Sequence, residues 1–243
     1  MDFPDTVTRL CGMKRFSFGC HPDVACFTEC CRELDLALTP YDVLCLRKEL
    51  QMGSEEFIER YVVIEQDEND FPRLYLGMVD DGKASCPFIS ENGCRVYENR
   101  PGACRAYPVG RGITLNENGR KQELYVLVQE EHCKGFAENQ SHNAAEWFEN
   151  QGLTEYNAIN DEVLGLLQHE QVRKGITLTQ EQKDYFMLAL FKLDEFRKFI
   201  SSPNNTDKFN LSADEKKSVL ADDLNLLRFG IHWLKEFLFT EKI

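Results

Sequence analysis

Ten cysteines stand at positions 11, 20, 26, 30, 31, 45, 86, 94, 104 and 133, and none follows. Two blocks carry the chemistry: Cys20-x5-Cys26-x3-Cys30-Cys31, then Cys86-x7-Cys94-x9-Cys104 with Cys133 further on. Thiolates are soft ligands that select zinc, copper(I) or the iron of iron–sulfur groups. Zinc sites and iron–sulfur clusters each take four ligands as a rule, so eight thiols suffice for two centres, or for one centre with redox cysteines to spare. The expected metal ligands are Cys20, Cys26, Cys30, Cys31, Cys86, Cys94, Cys104 and Cys133. There is no C-x2-C pair of the zinc-finger kind, and only Cys26-x3-Cys30 has chelate spacing. Neighbouring Cys30 and Cys31 point different ways along the backbone. They serve two metals, or two irons of one cluster, more easily than a single ion.

Two plainer readings compete. Disulfide scaffolds are denser in cysteine than this chain and belong to exported proteins. The opening MDFPDTVTRLCGMKRFSFGC has no apolar stretch of the export type, which predicts a cytoplasmic location. The second reading makes each thiol a small buried hydrophobe. That suits Cys45 between Leu44 and Leu46, and extends to Cys11, but it does not suit eight cysteines set among Gly, Pro and polar residues.

Charge supports an anionic centre. From Cys86 to Arg111 there are four arginines (95, 100, 105 and 111) against Glu91 and Glu98, in a chain of net charge −13. Cations beside thiolates lower their pKa and offset cluster charge. Arg100 and Arg105 are the residues expected to meet the cofactor, while Arg95 and Arg111 serve equally well in surface ion pairs. His21 and His132 adjoin candidate ligands, but single histidines so placed more often face solvent. His142, His169 and His232 suit helix surfaces. No catalytic residue is nominated.

An acidic chain repels phosphate backbones and anionic headgroups, so neither nucleic acid nor membrane is an expected partner. No apolar run approaches the roughly 20 residues that span a bilayer. With 42% hydrophobic and 11% aromatic residues the chain can pack a core.

These residues must be positioned by an α+β fold. An irregular cysteine-rich metal-binding module with short helices and a small β-hairpin occupies 1–150, followed by a helical C-terminal region over 151–243. Thr39 is read as the N-cap of a helix with Pro40 at its first position, running to Met52 and ended by Gly53. Ser54 caps a second helix through Tyr61. FPRLYLGMV at 71–79 reads as a strand followed by a turn at Asp80-Asp81-Gly82. Residues 112–129 read as a hairpin turning at Asn118-Gly119, and 86–108 as ordered loop. Helices are expected over 143–150, over 155–173, and from the capping box Thr179-x-x-Gln182 through Ile200. Ser202-Pro203-Asn204-Asn205 breaks the chain, and Ser212-x-x-Glu215 opens one last helix carrying Leu220 to Leu238.

The sequence resembles the YkgJ-like cysteine-cluster family, whose members are described as candidate zinc or iron chelators. The likeness rests on Cys26-x3-Cys30-Cys31, on Leu38-Thr39-Pro40-Tyr41-Asp42-Val43, on Cys86-Pro87-Phe88 and on Gly93-Cys94-x-Val96-Tyr97. Arg100-Pro101-x-x-Cys104-Arg105-x-Tyr107-Pro108 and Cys133-Lys134-Gly135-Phe136 continue it, over roughly 16–160. Cys20 with the doublet matches a variant whose leading cysteine is more distant than in the strict CxxCxxCC form, and Cys11 and Cys45 fall outside the pattern. The resemblance implies a metal or iron–sulfur centre. A related lineage of flagellin lysine methylases, which use an iron–sulfur centre with S-adenosylmethionine, adds an enzymatic alternative, although no glycine-rich nucleotide loop follows a strand here. A zinc-stabilised interaction protein, whose helical tail takes a protein partner, is the third reading.

Overall fold

The computed structural model describes residues 4–11, 13–115, 120–209 and 211–240. It is an α+β fold with small antiparallel sheets, and its chain forms two compact units. One holds residues 1–36 and 77–157; the other holds 37–76 and 158–243.

In the first unit the hairpin strands Val109–Leu115 and Lys121–Val128 pair from Val109↔Leu127 to Leu115↔Lys121. The expected turn at Asn118-Gly119 lies outside the described residues. Val7–Leu10 adds a third strand along Lys121–Val128. The remaining strands are two residues long: Phe16–Ser17 pairs with Ser141–His142, and Ile89–Ser90 with Gly93–Cys94. The core is correspondingly small. Phe18 is buried under Tyr107, Phe136 and Trp147, with ring centroids 5.8, 5.2 and 5.5 Å away, and the Trp147 indole N–H donates to the Ala106 carbonyl at 2.8 Å. Asn143 caps the helix Ala144–Asn150. The segment 86–108 is more regular than a loop, for it holds the short strands just named, a 3-10 turn at Tyr97–Asn99 and a helix at Gly102–Ala106. Pro101 fixes the chain just ahead of that helix, where the missing N–H costs nothing.

The second unit is mostly helical. Thr39 and Asp42 form a full capping box with Pro40 at the first position, as the sequence indicates. The helix is Pro40–Glu49, ending three residues earlier than expected because Gln51 turns left-handed (φ 53°). Met52 N–H then returns to the Arg47 carbonyl and Gln51 N–H to that of Lys48, closing a Schellman motif. Gly53 rather than Ser54 is the cap of Ser54–Tyr61. Ser54 is buried, its N–H held by the Asp194 carboxylate at 2.7 Å and its hydroxyl by Glu195 at 3.0 Å. Pro72–Leu76 lies between Ala37–Leu38 and Val62–Gln66 in a three-stranded sheet.

Three expected helices are each broken in two. Helix Thr154–Leu167 stops before His169, which caps Glu170–Arg173. Gln180–Leu190 and Leu193–Ser201 are separated at Phe191 and Lys192. Phe186, Ala189, Leu190, Phe191, Leu193 and Phe196 are all buried, and no single face of a straight helix contains them. The break redirects the chain so that both halves bury their apolar residues. Ala213–Val219 ends at Leu220, and Asp222 caps a new helix, Asp223–Phe239, by accepting the Asn225 N–H at 2.8 Å. Each fully buried Phe here, Phe57, Phe71, Phe186 and Phe196 among them, contributes roughly 1.5–3 kcal/mol from burial. Among the described residues no helix is long and apolar enough to cross a membrane.

Candidate metal centre

All eight expected ligands fall in the first unit, whereas Cys45 is buried in the second, as a packing thiol should be. Cys11 is exposed, which corrects its reading as a core thiol. None of the ten cysteines is in a disulfide.

Backbone hydrogen bonds bring distant thiols together. Successive turns carry the chain past the first block: Val24 N–H bonds to the His21 carbonyl, Phe27 to Val24, Glu29 to Cys26 and Cys31 to Thr28. Cys30 and Cys31 end in the 3-10 turn Glu29–Cys31. Cys86 N–H donates to the Cys31 carbonyl at 2.8 Å, joining the two blocks. Cys94 returns beside Cys86 through a tight hairpin in which Gly93 adopts φ 103°, a conformation that L side chains rarely take. Cys133 is brought in from the other side. Gly19 N–H donates to the Gly135 carbonyl at 3.0 Å, and a Cβ on Gly135 would stand 2.6 Å from the Gly19 oxygen and 2.7 Å from the Phe18 ring. Only glycine permits that approach.

Several N–H groups face the sulfurs. Lys134 donates its main-chain N–H to Cys26 Sγ at 3.0 Å. The N–H groups of Phe88 and Ile89 stabilise the Cys86 thiolate, that of Val96 the Cys94 thiolate and that of Gly135 the Cys133 thiolate. Such donors favour charged sulfur, which is also the ligand form.

The thiols perturb one another. Burial, then the charges of Cys30, Cys26 and Cys133, push Cys20 up to about 11 against the pull of Arg100. Burial leads in raising Cys86, Cys94 and Cys133 as well. Cys30 departs from this trend. A hydrogen bond from the Cys31 thiol draws it down to about 7, and the same bond, with burial and the charges of Cys30, Cys86 and Cys104, drives Cys31 far upward. Most of these thiols are therefore protonated without metal, and binding a cation must release protons. Among the described residues no three His, Cys, Asp or Glu side chains are already closed into a geometry that could hold an ion.

Their donor chemistry fits a soft or borderline metal. All eight candidates are sulfur, backbone donors compensate their charge, and an arginine stands near. Arg100 is that arginine, for its charge lowers both Cys20 and Cys94. Its guanidinium lies over the Tyr97 ring at 3.8 Å and donates to Gln151 Oε1 at 2.6 Å. Arg105 is placed differently. It donates to the carbonyls of Glu98, Arg100 and Gln151 and covers the Tyr156 ring at 4.9 Å, bracing the loop between Cys94 and Cys104. Arg95 donates to the Pro87 carbonyl at 2.6 Å, and Arg111 pairs with Glu123 at 2.7 Å. His21 lies 3.3 Å from Glu138 and His132 3.7 Å from Glu130. His142 is not on a helix surface but in a short strand, packed on Phe16 and Trp147.

Sequence reasoning missed Tyr107. Its hydroxyl is buried, and burial, then its hydrogen bond with Cys133 and the charge of Glu130, raise its pKa. A phenol three residues past Cys104 was the available signal. A cleft of about 560 Å³ reaches Cys30, walled by Glu29, Arg32, Lys83, Glu130 and His132.

Comparison with known proteins agrees with this chemistry. Residues 19–134 match the model of the CxxCxxCC family, whose description proposes a zinc- or iron-chelating domain. A metal is thereby supported as the cofactor of a cysteine-cluster domain. No curated protein and no solved structure matches the chain.

Proposed function

We propose that this chain, whose residues 19–134 match the model of the CxxCxxCC family, uses its thiol-rich unit to hold an iron–sulfur centre and serves in electron transfer or metal handling. The observation that carries the reading is the presence of eight reduced thiols in one unit with main-chain N–H groups directed at sulfur. Hydrogen bonds to sulfur, nearby charge and solvent exposure are the means by which a protein sets the potential of such a group. When bound, an iron–sulfur group supplies one-electron chemistry. The chain's own residues do the rest. Cys20, Cys26, Cys30, Cys31, Cys86, Cys94, Cys104 and Cys133 are the ligand pool. Arg100 offsets their negative charge, and Arg105 braces the loop that carries two of them. Cys20 and Cys104 lie at the exposed edge, and the cleft at Cys30 gives solutes access. Both features suit exchange with a partner better than a sealed structural site. The acidic surface disfavours nucleic acid or anionic lipid as that partner.

Anaerobic purification tests the proposal. The protein should be brown, absorb near ~400 nm, bleach on reduction, and contain iron with acid-labile sulfide. Colourless protein with stoichiometric zinc would overturn the iron–sulfur assignment and leave a zinc-held domain in its place.

A further inference from the structure

Two thiols of the pool meet although their segments are far apart in the chain. Cys26 Sγ accepts the main-chain N–H of Lys134, 108 residues away, at 3.0 Å, which places that sulfur within one peptide unit of Cys133. The Cys133 thiol is itself hydrogen-bonded to Cys26, and the Tyr107 hydroxyl and the Gly135 N–H also hold it. The backbone fixes both partners. Glu29 N–H donates to the Cys26 carbonyl and Cys133 N–H to the Glu130 carbonyl, while Gly19 N–H secures Gly135, each at 3.0 Å. Cys26 and Cys133 are both half-buried, so each keeps some contact with solvent.

We propose that Cys26 and Cys133 form a reversible disulfide when the chain without metal meets a low-molecular-weight disulfide, and that this bond takes two ligands out of the metal-binding pool. Formation of the bond rests on the geometry alone; its consequence for metal rests on the function proposed above. In the first step one thiol of the pair attacks a sulfur of the small disulfide. A mixed disulfide forms, the small S–S bond breaks, and the departing thiolate takes up the proton that the attacking thiol gave up. The second thiol then attacks the protein-side sulfur of the mixed disulfide. The Cys26–Cys133 bond forms and a second small thiol leaves with the remaining proton. Each protein sulfur is oxidised by one electron, and the small disulfide is reduced to two thiols.

Cys30 and Cys31 are hydrogen-bonded to each other as well. Neighbouring Cα atoms lie about 3.8 Å apart, however, short of the roughly 4.4–6.8 Å that a disulfide spans, so a bond between them distorts the backbone. Cys26 and Cys133 sit on separate segments and carry no such restriction. Their bond ties residues 130–136 covalently to the turns around Cys26, an anchorage that bound metal otherwise supplies. Oxidation thus exchanges one cross-link for another, and the pair is closed to metal until a thiol reduces it.

Equilibration of the reduced, chelator-treated full chain with oxidised glutathione tests this, followed by acid quenching, alkylation and peptide mapping by mass spectrometry. Fragmentation of the linked peptides should locate the dominant internal bond between Cys26 and Cys133. Cys26→Ser and Cys133→Ser should each abolish that bond and leave the remaining partner as a mixed disulfide with glutathione, whereas Cys11→Ser should keep it. Amide exchange over 130–136 should be slower in the oxidised chain than in the reduced, metal-free one. Cobalt(II) added to the oxidised chain should give only a small part of the thiolate-to-cobalt absorbance of the reduced chain, and treatment with a phosphine reductant should restore it. No internal bond, or a dominant bond between Cys30 and Cys31 or any other pair, overturns the proposal, and the wild-type map decides this without any variant. Equal cobalt absorbance before and after oxidation overturns the link to metal. Absence of cobalt absorbance in the reduced chain removes the metal-binding reading, while the mapped bond stands or falls by itself.

Discussion

The two units achieve a defined structure by different means. The second buries Phe57, Phe71, Ile159, Phe186, Leu190 and Phe196 almost completely and closes its helices with side-chain caps. Its few buried charges are matched: Arg47, 7% exposed at its side chain, lies between Asp194 and Asp223, and Asp223 also receives Arg197. The first unit has one three-stranded sheet, otherwise two-residue strands, short helices and single 3-10 turns over a modest apolar core, and concentrates all eight candidate thiols instead. The difference teaches that within one chain a hydrophobic core and a ligand core are alternative solutions, and that they leave different marks on the sequence.

Metal removal is the largest perturbation with which to break the comparison. Anaerobic chelation should accelerate amide exchange by orders of magnitude through residues 86–108 and 130–136, while amides of the second unit keep their protection. Equal loss in both units would show that the helices also depend on the ligand core. The converse perturbation is Phe196→Ala, which removes a side chain with 0% exposure and should cost about 3–5 kcal/mol in denaturant titrations. Metal content should be unchanged.

Arg47→Ala should cost about 3 kcal/mol, because it leaves Asp194 and Asp223 partly buried without their shared partner. The smallest effect expected is that of acid. Burial raises the Asp223 pKa, but the hydrogen bond from Arg197 and the charges of Arg47 and Lys48 outweigh it and hold the carboxyl below its ordinary value. A carboxyl depressed in the folded state stabilises fully above its unfolded pKa, about 3.9, and loses that contribution as pH falls through the folded value. The thermal midpoint of the second unit should therefore hold from neutrality to about pH 4 and decline below it, and Asp223→Asn should flatten the decline. A midpoint that falls already at pH 5 to 6 would show that other groups govern it.

The cysteine-cluster domain was legible because thiols crowded among glycine, proline and polar residues have no packing explanation. The caps at Thr39, Thr179 and Ser212 were legible too, since each involves atoms within four residues of chain. What stayed hidden depends on distance. Lys134 and the Cys26 sulfur that it serves are 108 residues apart, and no local pattern announces that meeting. The helix breaks at Phe191–Lys192 and at Leu220–Asp222 follow from which faces are buried, information that a one-dimensional periodicity contains only in outline. The strand Val62–Gln66 escaped notice because it follows Tyr61 directly, with no turn residue to mark the change from helix.

Most of the polar groups turned toward the sulfurs belong to peptide units rather than side chains: those of Phe88, Ile89, Val96, Lys134 and Gly135. Ordinary substitution at these positions exchanges what hangs from the Cα and leaves the amide proton where it was. Only proline deletes it. The electronic character of the thiols is thus inherited with the path of the main chain, and can persist through extensive change in the residues around them.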